Sequence, residues 1–444
     1  MTHLVNIDTL LEARWIVPVE PADTVLLNHA IAIDKGIIIA IIPIVQALTQ
    51  FNPQERIVLG NHVLIPGLIN LHTHAAMSLM RGLADDLPLM EWLNKHIWPT
   101  ESQHVDPDFV FDGTRLACAE MLRGGITCFN DMYFYPEAAT EAALAVGIRA
   151  AIGMIIIDFP TTYASDADDY LAKGLALRDK YHQHPLLSFC FAPHAPYTVS
   201  DKAFANVLTY AEQLDLPIHL HLHETKDEIK ISLETTGMRP IERLHKLGLF
   251  SPNLIAVHMV HLTDEEIRLM KQHGCSIAHC PSSNMKLANG FAPVASLLDQ
   301  DINVGLGTDG AASNNRLDMF EEMRLTALLA KAESGRADVL TAYKALQMAT
   351  LASARALGLD QITGSLTTGK AADITAVDFS DINLIPCYDP VSHLVYTAGR
   401  EHVSHVWVNG KILLKDRQLT TLDELELYHR ATSWQQRIRA TGTQ

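Results

Sequence analysis

Between Leu64 and His74 the chain reads LIPGLINLHTH, an apolar run that ends in two histidines. Side chains two residues apart on a β-strand project to the same face, so the imidazoles of His72 and His74 can bind one cation together. An H-x-H pair alone is a weak signal. It becomes a good one here because it ends an apolar run with Pro66-Gly67 upstream. The segment therefore predicts a buried strand that carries metal ligands.

Seven further runs of strand length follow, and amphipathic stretches of helix length separate most of them. The eight predicted strands are 64–74, 126–132, 148–158, 186–197, 217–224, 254–261, 276–284 and 303–310. The predicted helices include 106–124, 136–146, 166–181, 201–214, 263–273 and 317–332. Eight strand-then-helix units are the number that an α/β fold of the (β/α)8 TIM-barrel type requires.

The two ends of the chain differ from this middle part, because they contain short β-type runs with turns such as Asn409-Gly410. Neither end has enough strands to bury a face, so we expect both to pair into one small β-sandwich. The predicted domains are the N-terminal part of this sandwich (1–63), the (β/α)8 barrel (64–370), and the C-terminal part of the sandwich (371–444) with a closing helix from near Leu422. The apolar run 37–45 predicts a buried strand pair.

Composition narrows the class of protein. The chain has 444 residues, 48% of them hydrophobic, which is enough for a large core, and its formal charge of −17 would repel nucleic-acid phosphates and acidic lipids. We therefore expect no nucleic-acid partner and no membrane partner. The N-terminal residues lack the pattern of a signal peptide, and six cysteines without a C-x-x-C pair suit a reducing compartment, so the expected location is the cytoplasm. Whether the chain forms a homo-oligomer is left open.

Seven of the eight predicted strand ends carry a histidine or an acid. These residues are His72 with His74, Asp131, His194, His221 with Glu224, His258, His279 and Asp309. A single buried histidine is more often structural than functional, but catalytic groups of TIM barrels gather at the carboxyl ends of the strands. The pattern as a whole predicts an active site at that end of the barrel.

The spacing suggests a ligand set but does not complete it. On the fifth strand His219 and His221 face the same side, and spacing alone leaves either as the ligand. Asp309 follows a run of small residues, and its alternative is a turn aspartate. Three imidazoles and one carboxylate suit zinc or a similar divalent ion. Glu224 is then placed to pass protons between a metal-activated water and the substrate, and its alternative is an acid at a helix start.

Five motifs together resemble the amidohydrolase superfamily and, within it, the 5′-methylthioadenosine/S-adenosylhomocysteine deaminases. They are PGLINLHTHAAM, HLHLHETKDE, AVHMVHL, AHCPSSNMKLANG and GLGTDGAASNN, and they occur in this order on the predicted strands. The resemblance implies hydrolytic deamination of the adenine ring of either nucleoside by metal-activated water, giving the inosyl product and ammonia. One divalent metal, Zn²⁺, is the implied cofactor, and a small-molecule nucleoside is the implied partner.

The resemblance also implies a role for individual residues. The implied metal ligands are His72, His74, His221 and Asp309; the implied proton shuttle is Glu224, with His258 beside the attacking water; and the implied substrate contacts are Glu101, His194, Trp92 and Glu224. Asp309 is expected to help His258 deprotonate the water. His279 fits either the pocket or simple packing.

Rival functions differ in residues that can be read from the sequence. Binuclear relatives need a carboxylated lysine at the end of the fourth strand, which here ends FCFAPHAPY. Cytidine-type deaminases need P-C-x-x-C, which does not occur. Guanine deaminase and the triazine-type aminohydrolases share most motifs, and Glu101 in WPTE favours a nucleoside over them. A relative without catalytic activity would be expected to have lost ligand residues.

Overall fold

The computed structural model describes residues 4–441, whose strands form two sheets of eight. In chain order the strands are β1 (Val5–Ile16), β2 (Leu26–Asp34), β3 (Ile37–Pro43), β4 (Phe51–Pro66), β5 (Leu68–Thr73), β6 (Ile126–Met132), β7 (Arg149–Ile156), β8 (Leu187–Pro193), β9 (Ile218–Leu222), β10 (Leu254–His258), β11 (Ser276–His279), β12 (Asn303–Leu306), β13 (Ile374–Asp378), β14 (Val403–Val408), β15 (Lys411–Lys415) and β16 (Gln418–Leu419).

The helices lie between these strands and at the C-terminal end. They are α1 (Ile44–Gln50), α2 (Leu89–Trp92), α3 (Trp98–His104), α4 (Pro107–Arg123), α5 (Pro136–Val146), α6 (Ala167–Tyr181), α7 (Asp201–Leu214), α8 (Lys226–Thr236), α9 (Pro240–Lys246), α10 (Asp264–His273), α11 (Pro281–Lys286), α12 (Val294–Asp299), α13 (Met319–Ser334), α14 (Ala342–Met348), α15 (Leu351–Ala356), α16 (Pro390–Tyr396) and α17 (Glu424–Thr441). Short 3₁₀ helices span Ala75–Met80, Ile382–Leu384 and Arg400–His402, and a π-helical turn spans Leu93–Ile97.

Strands β5 to β12 form the barrel predicted from the sequence. They run parallel and pair in sequence order, and almost every side chain on them is buried. All eight predicted barrel strands are present, and several end earlier than predicted because the functional residues lie in the loops that follow. His223 and Asp309, which follow β9 and β12, have φ angles of 52° and 61°, which strand residues do not adopt, and His258 ends β10 with a φ angle of 72°.

The barrel closes between β5 and the segment after β12. The amide nitrogen of Asp309 donates to the carbonyl oxygen of His72 at 3.0 Å, and the backbone nitrogen of Thr308 donates to Oδ1 of Asn70 at 2.9 Å. Gly307 allows this approach, because a Cβ atom at this position would lie 2.8 Å from the backbone nitrogen of His72. The small residues of GLGTDG therefore bring Asp309 next to the H-x-H pair.

The second sheet contains both ends of the chain, in the order β16-β15-β14-β13-β4-β1-β2-β3. The small domain predicted from both termini is thus confirmed, and it is one sheet folded over on itself. The turn at Gly36 contacts the turn at Asn409-Gly410, and the amide nitrogen of Ala372 donates to the carbonyl oxygen of Gly36. Asn409 and Gly410 both have positive φ angles, as the predicted hairpin turn requires. The boundaries proposed at residues 63/64 and 370/371 remain predictions.

The prediction of a buried strand pair at residues 37–45 is wrong. This segment is one strand, β3, at the edge of the sheet, and its partner β2 covers one side only. Pro43 ends the strand, and α1 begins at Ile44. Within β3 only Ile38 is fully buried, because an edge strand lacks a neighbour on its second side. A short run of isoleucines fits an edge strand as well as an interior one.

The helix predicted from near Leu422 is confirmed as α17. It packs on α4, where Nε1 of Trp434 donates to Oδ2 of Asp112 at 2.8 Å and a guanidinium–carboxylate pair joins Arg115 to Glu426. Among residues 4–441 no helix is both long enough and apolar enough to cross a bilayer.

Candidate active site

A pocket opens at the carboxyl ends of the barrel strands. It is lined by His74, Met77, Leu89, Trp92, Leu93, Ile97, Trp98, Glu101, Ser102, Met132, Tyr133, Phe134, Ile155, Ile157, Phe159, Pro160, Thr161, Thr162, His194, Tyr197, His221, Glu224, His258, Leu287, Asp309 and Ser313. Polar side chains gather at its inner end, and apolar side chains form most of its walls. This arrangement is typical of a site that orients a small molecule with a few polar groups.

Four donor atoms converge at the inner end of the pocket. Nε2 of His72 lies 3.2 Å from Nε2 of His221 and 3.3 Å from Oδ1 of Asp309, which lies 3.3 Å from Nε2 of His74. Ligand atoms bound tetrahedrally to zinc at 2.0–2.1 Å lie about 3.3–3.4 Å apart. These three spacings match that geometry, and atoms that could hold a metal lie within 4.8 Å of one another in two groups that share His72, one with His74 and Asp309 and one with His221 and His258.

Backbone carbonyls set the tautomers of two of these histidines. Nδ1 of His74 donates to the carbonyl oxygen of Met132 at 2.5 Å, and Nδ1 of His221 donates to that of His194 at 2.9 Å. The tautomer that this hydrogen bond favours turns the Nε2 lone pair of each ring toward the cluster, as metal binding requires. Burial lowers the pKa of His72 to about 4 and that of His221 well below its usual value, so both rings are neutral at pH 7.

The structure places His219 and His221 differently. Only Nε2 of His221 reaches the donor cluster, whereas Nε2 of His219 lies 3.1 Å from Nδ1 of His72. His219 thus contacts the side of the His72 ring that faces away from the cluster and can accept its Nδ1 hydrogen. This geometry supports His221 as the ligand and assigns His219 the orientation of His72.

Asp309 is held by three hydrogen bonds. The hydroxyls of Ser283 and Ser313 donate to Oδ2 at 2.6 and 2.9 Å, and the amide of Gly310 donates to Oδ1 at 2.7 Å. The carboxylate is buried, and its Oδ1 faces His72 and His74. A carboxylate ligated through one oxygen and hydrogen-bonded through the other keeps a fixed orientation.

Glu224 lies beside the cluster in a dry environment. Its Oε1 accepts from Nδ2 of Asn289 at 2.9 Å, and its Oε2 lies 3.7 Å from Nε2 of His258. Burial, together with the charge of Asp309, raises the pKa of Glu224 to about 8. A carboxyl group that is protonated at neutral pH can donate a proton to a bound substrate.

Glu228 and Asn284 hold the backbone of Glu224 and the ring of His258 in place through hydrogen bonds. Both carboxylate oxygens of Glu228 accept backbone N–H groups, from His223 at 2.9 Å and from Glu224 at 2.8 Å. Nδ1 of His258 donates to Oδ1 of Asn284 at 2.9 Å, which leaves its Nε2 atom unprotonated on the side of Glu224. Asn284, Asn289 and Glu228 were not predicted individually, although all three lie within the quoted motifs. Only the folded chain brings the two asparagines to these positions.

The predicted substrate contacts lie further out in the pocket. Glu101 on α3 accepts a hydrogen bond from the hydroxyl of Tyr133 at 2.8 Å, and burial raises the pKa of this carboxyl to about 7. His194 lines the pocket with its Nδ1 atom bonded to Thr198. Trp92 on α2 lines it too and donates from Nε1 to the carbonyl oxygen of Ala84. The sequence did not predict Tyr133, which holds Glu101 from another strand end.

Two of the polar residues at strand ends are placed outside the pocket. Asp131 accepts from the amide of Ala75 at 2.8 Å behind the H-x-H strand. His279 does not line the pocket and instead borders a small separate cavity near Pro281 and Phe291. The strand-end pattern therefore includes residues that support the strands as well as residues that face the pocket.

The barrel and the donor cluster define a metal-dependent hydrolase. A model of the amidohydrolase family matches residues 63–413, so the chain belongs to the amidohydrolase family. Two curated relatives named 5-methylthioadenosine/S-adenosylhomocysteine deaminase match almost the whole chain. The one from Saccharophagus degradans is 50% identical over 99% of both chains, and the one from Teredinibacter turnerae is 47% identical over 99% of this chain and 100% of its own.

Solved structures of related enzymes are similar to this chain over nearly its whole length. A zinc-bound adenosine deaminase from Xanthomonas campestris has a TM-score of 0.97 at 47% identity and covers 99% of this chain and 100% of its own. The atrazine chlorohydrolase TrzN of Arthrobacter aurescens, complexed with zinc, has a TM-score of 0.89 at 26% identity over 96% of this chain and 99% of its own. Guanine deaminase of E. coli, at 23% identity and a TM-score of 0.82, shares the fold. The similarity thus extends over the barrel and the small sheet together.

Proposed function

We propose that the protein deaminates the adenine ring of 5′-methylthioadenosine and/or S-adenosylhomocysteine, giving the inosyl product and ammonia. The observation that carries this proposal is one pocket that joins a four-atom metal cluster and Glu224 at its inner end to Glu101 further out. The near full-length similarity to deaminases of this name supports the same substrate class.

His72, His74, His221 and Asp309 would hold one divalent ion, with Zn²⁺ favoured by the nitrogen-rich donor set. When bound, such an ion lowers the pKa of a water molecule toward neutrality and so supplies a nucleophile. The neutral state of the imidazoles suits this role, because a protonated ring cannot bind a cation.

Proton transfer falls to Glu224, His258 and Asp309. His258 and Asp309 take up a proton from the attacking water as its oxygen bonds to C6 of the ring. Glu224 donates its proton to ring nitrogen N1, takes up the proton of the new C6 hydroxyl and passes it to the amino group, so that the C6–N bond breaks, ammonia leaves and a C6 carbonyl remains. The proton taken from the water then returns Glu224 to its acid form. An exocyclic amine leaves poorly unless both the ring and the amine are protonated, and a carboxyl with a raised pKa supplies such a proton.

The outer pocket would bind the nucleoside. An ionised Glu101 accepts two hydrogen bonds at once, which matches the vicinal hydroxyls of a ribose. Trp92 offers an aromatic surface for the purine or ribose, and His194 lies near the cluster on the opposite side of the pocket. A free purine base has no diol, so Glu101 favours a nucleoside over the guanine and triazine substrates named for the more distant neighbours.

We further propose that the partner is this small molecule alone, without nucleic acid or membrane, and that the protein works in the cytoplasm. The net charge of −17 supports the first statement, and six free cysteines support the second.

A panel of purines tests the proposal directly. Purified protein is incubated with 5′-methylthioadenosine, S-adenosylhomocysteine, adenosine, guanine and an aminotriazine, and ammonia release is measured. We expect release from the adenine nucleosides, with the product identified as the inosyl compound by mass. Turnover of guanine or the triazine without turnover of any adenosine derivative would overturn the proposal.

Replacing Glu101 by Ala is expected to lower kcat/KM for 5′-methylthioadenosine while the metal content stays unchanged. The loss of charged hydrogen bonds to the diol should cost about 2–3 kcal/mol, or about 30–150-fold. The loss should be much smaller for 2′,3′-dideoxyadenosine, which has no diol. Steady-state kinetics on both nucleosides measures the difference.

Glu91→Ala is the matched control. Glu91 lies on α2, in the same segment between β5 and α4 as Glu101, but it pairs with Lys95 and does not line the pocket. It should leave both rates unchanged. Equal losses on the two nucleosides in Glu101→Ala would mean that Glu101 supports the shape of the pocket rather than binding the sugar.

A further inference from the structure

The outer wall of the pocket determines which 5′ substituent of the nucleoside the site can accept. This inference rests on the proposed function. The two nucleosides in the relatives' names differ at this position. One carries a methylthio group, which is small, apolar and uncharged. The other carries a homocysteine chain that ends in an ammonium and a carboxylate, both of which require hydrogen bonds or opposite charges when they leave water.

Beyond Glu101 the pocket wall is apolar. It is formed by the ends of β6 and β7, the loop after β7 and the helical segment before α3, with Phe134, Ile155, Ile157, Phe159, Leu93 and Trp98 among its side chains. Besides Glu101 and Tyr133, the polar side chains on this part of the lining are the uncharged hydroxyls of Ser102, Thr161 and Thr162. A methylthio group would gain contact with these side chains, and burial of an apolar group in such a wall is favourable.

The lining of this pocket offers no partner for the carboxylate of a homocysteine chain. Among the described residues its lining contains three acids (Glu101, Glu224 and Asp309) and neither lysine nor arginine. Lysines on neighbouring segments bind elsewhere. Nζ of Lys95 pairs with Glu91 at 2.7 Å, and Nζ of Lys173 donates to the carbonyl oxygen of Tyr163 at 2.6 Å. The carboxylate of a homocysteine chain would thus meet apolar side chains and no basic side chain that could pair with it.

We propose that the site prefers adenine nucleosides whose 5′ substituent is short, apolar and uncharged, and that it therefore favours 5′-methylthioadenosine over S-adenosylhomocysteine. Glu101 and Tyr133 hold the sugar at the border between the polar and apolar parts of the pocket, and the apolar wall contacts the 5′ group. The site would discriminate against S-adenosylhomocysteine because the charged groups of its homocysteine chain would be left without partners. Such an unpaired charge changes binding energy more than the gain or loss of a methylene group does.

Kinetics on a series of 5′ substituents tests the preference. We measure kcat/KM for 5′-methylthioadenosine, 5′-butylthioadenosine and S-adenosylhomocysteine, because the butyl chain approximates the length of homocysteine without its charges. We expect the values for 5′-methylthioadenosine and 5′-butylthioadenosine to agree within about tenfold. The value for S-adenosylhomocysteine should be lower by a factor of about 100 or more. Equal rates for S-adenosylhomocysteine and 5′-methylthioadenosine would overturn the preference. So would a butylthio compound as slow as S-adenosylhomocysteine, because length would then be the excluded property.

A variant of the wall gives an independent readout. Phe159 lies at the pocket opening with 42% of its surface exposed, so Phe159→Arg places a guanidinium there without burying it. The ratio of kcat/KM for S-adenosylhomocysteine to that for 5′-methylthioadenosine should rise about tenfold or more. Phe159→Leu should leave the ratio unchanged. An unchanged ratio in Phe159→Arg, with 5′-methylthioadenosine still deaminated, would contradict the placement of the 5′ group at this wall.

These outcomes are distinct from a failure of the proposed function. If no adenosine derivative is deaminated, the function is wrong. If both nucleosides are deaminated equally well, the function stands and only the preference is wrong.

Discussion

Replacing His221 by Ala is expected to remove the metal and the activity together. Nε2 of His221 lies 3.2 Å from Nε2 of His72, so the substitution deletes one of four converging donors. A three-ligand remnant binds a cation far less tightly. Deamination should fall by more than about 1,000-fold, because activation of the nucleophile is worth several kcal/mol. Metal content by mass spectrometry and ammonia release are measured on the same preparation, and His72→Ala, His74→Ala and Asp309→Ala should behave alike.

His219→Ala is the matched comparison on the same strand. His219 contacts the far side of the His72 ring at 3.1 Å and does not reach the donor cluster. The variant should still load metal, with an affinity about 10–100-fold weaker, as is usual when the partner of a ligand is removed. Loss of metal in His219→Ala together with retention in His221→Ala would reverse the ligand assignment.

Replacing Glu224 by Gln is expected to keep the metal and lower kcat by about 100- to 10,000-fold, the range for loss of a general acid–base group. Glutamine preserves the size of the side chain and the possibility of a hydrogen bond with Asn289, which lies 2.9 Å away, but it cannot transfer a proton. Single-turnover and steady-state rates on 5′-methylthioadenosine measure the loss.

Glu234→Gln on α8 serves as the control. Glu234 is exposed, and its carboxylate forms a surface ion pair with Lys230 at a distance of 3.9 Å. It should change neither metal content nor kcat. Retained activity in Glu224→Gln would remove Glu224 from the mechanism and leave proton transfer to His258 or to solvent.

The barrel could be predicted from the sequence because its strands are nearly continuous apolar runs, as parallel buried strands require. The polar residues at their ends also pointed to the correct edge of the sheet. The hydrophobic pattern could not predict the path of residues 89–104. Short helical turns of mixed composition in this segment form one wall of the pocket. The edge strand at Ile37 was predicted wrongly for a related reason, since apolar runs do not reveal whether a strand has one neighbour or two.

The ligand set shows a similar limit. Alternation places His219 and His221 on one face of β9, and only the resemblance to the family favoured His221. The structure separates them because successive inward-facing residues lie at different heights in the barrel, so one reaches the cluster and the other contacts His72 from behind. Partners distant in sequence, such as Tyr133 for Glu101 and Asn289 for Glu224, depend on the folded chain and have no local signal.

Titration of the chelator-treated protein with zinc tests the central claim most directly. Ammonia release from 5′-methylthioadenosine is followed as Zn²⁺ is added in steps to protein of known concentration. The proposed site of four ligands and one ion predicts no activity at the start, a linear rise, and a break at one zinc per chain. Full activity in the protein stripped of metal, or a break at two zinc ions per chain, would contradict a hydrolase that works with one metal ion.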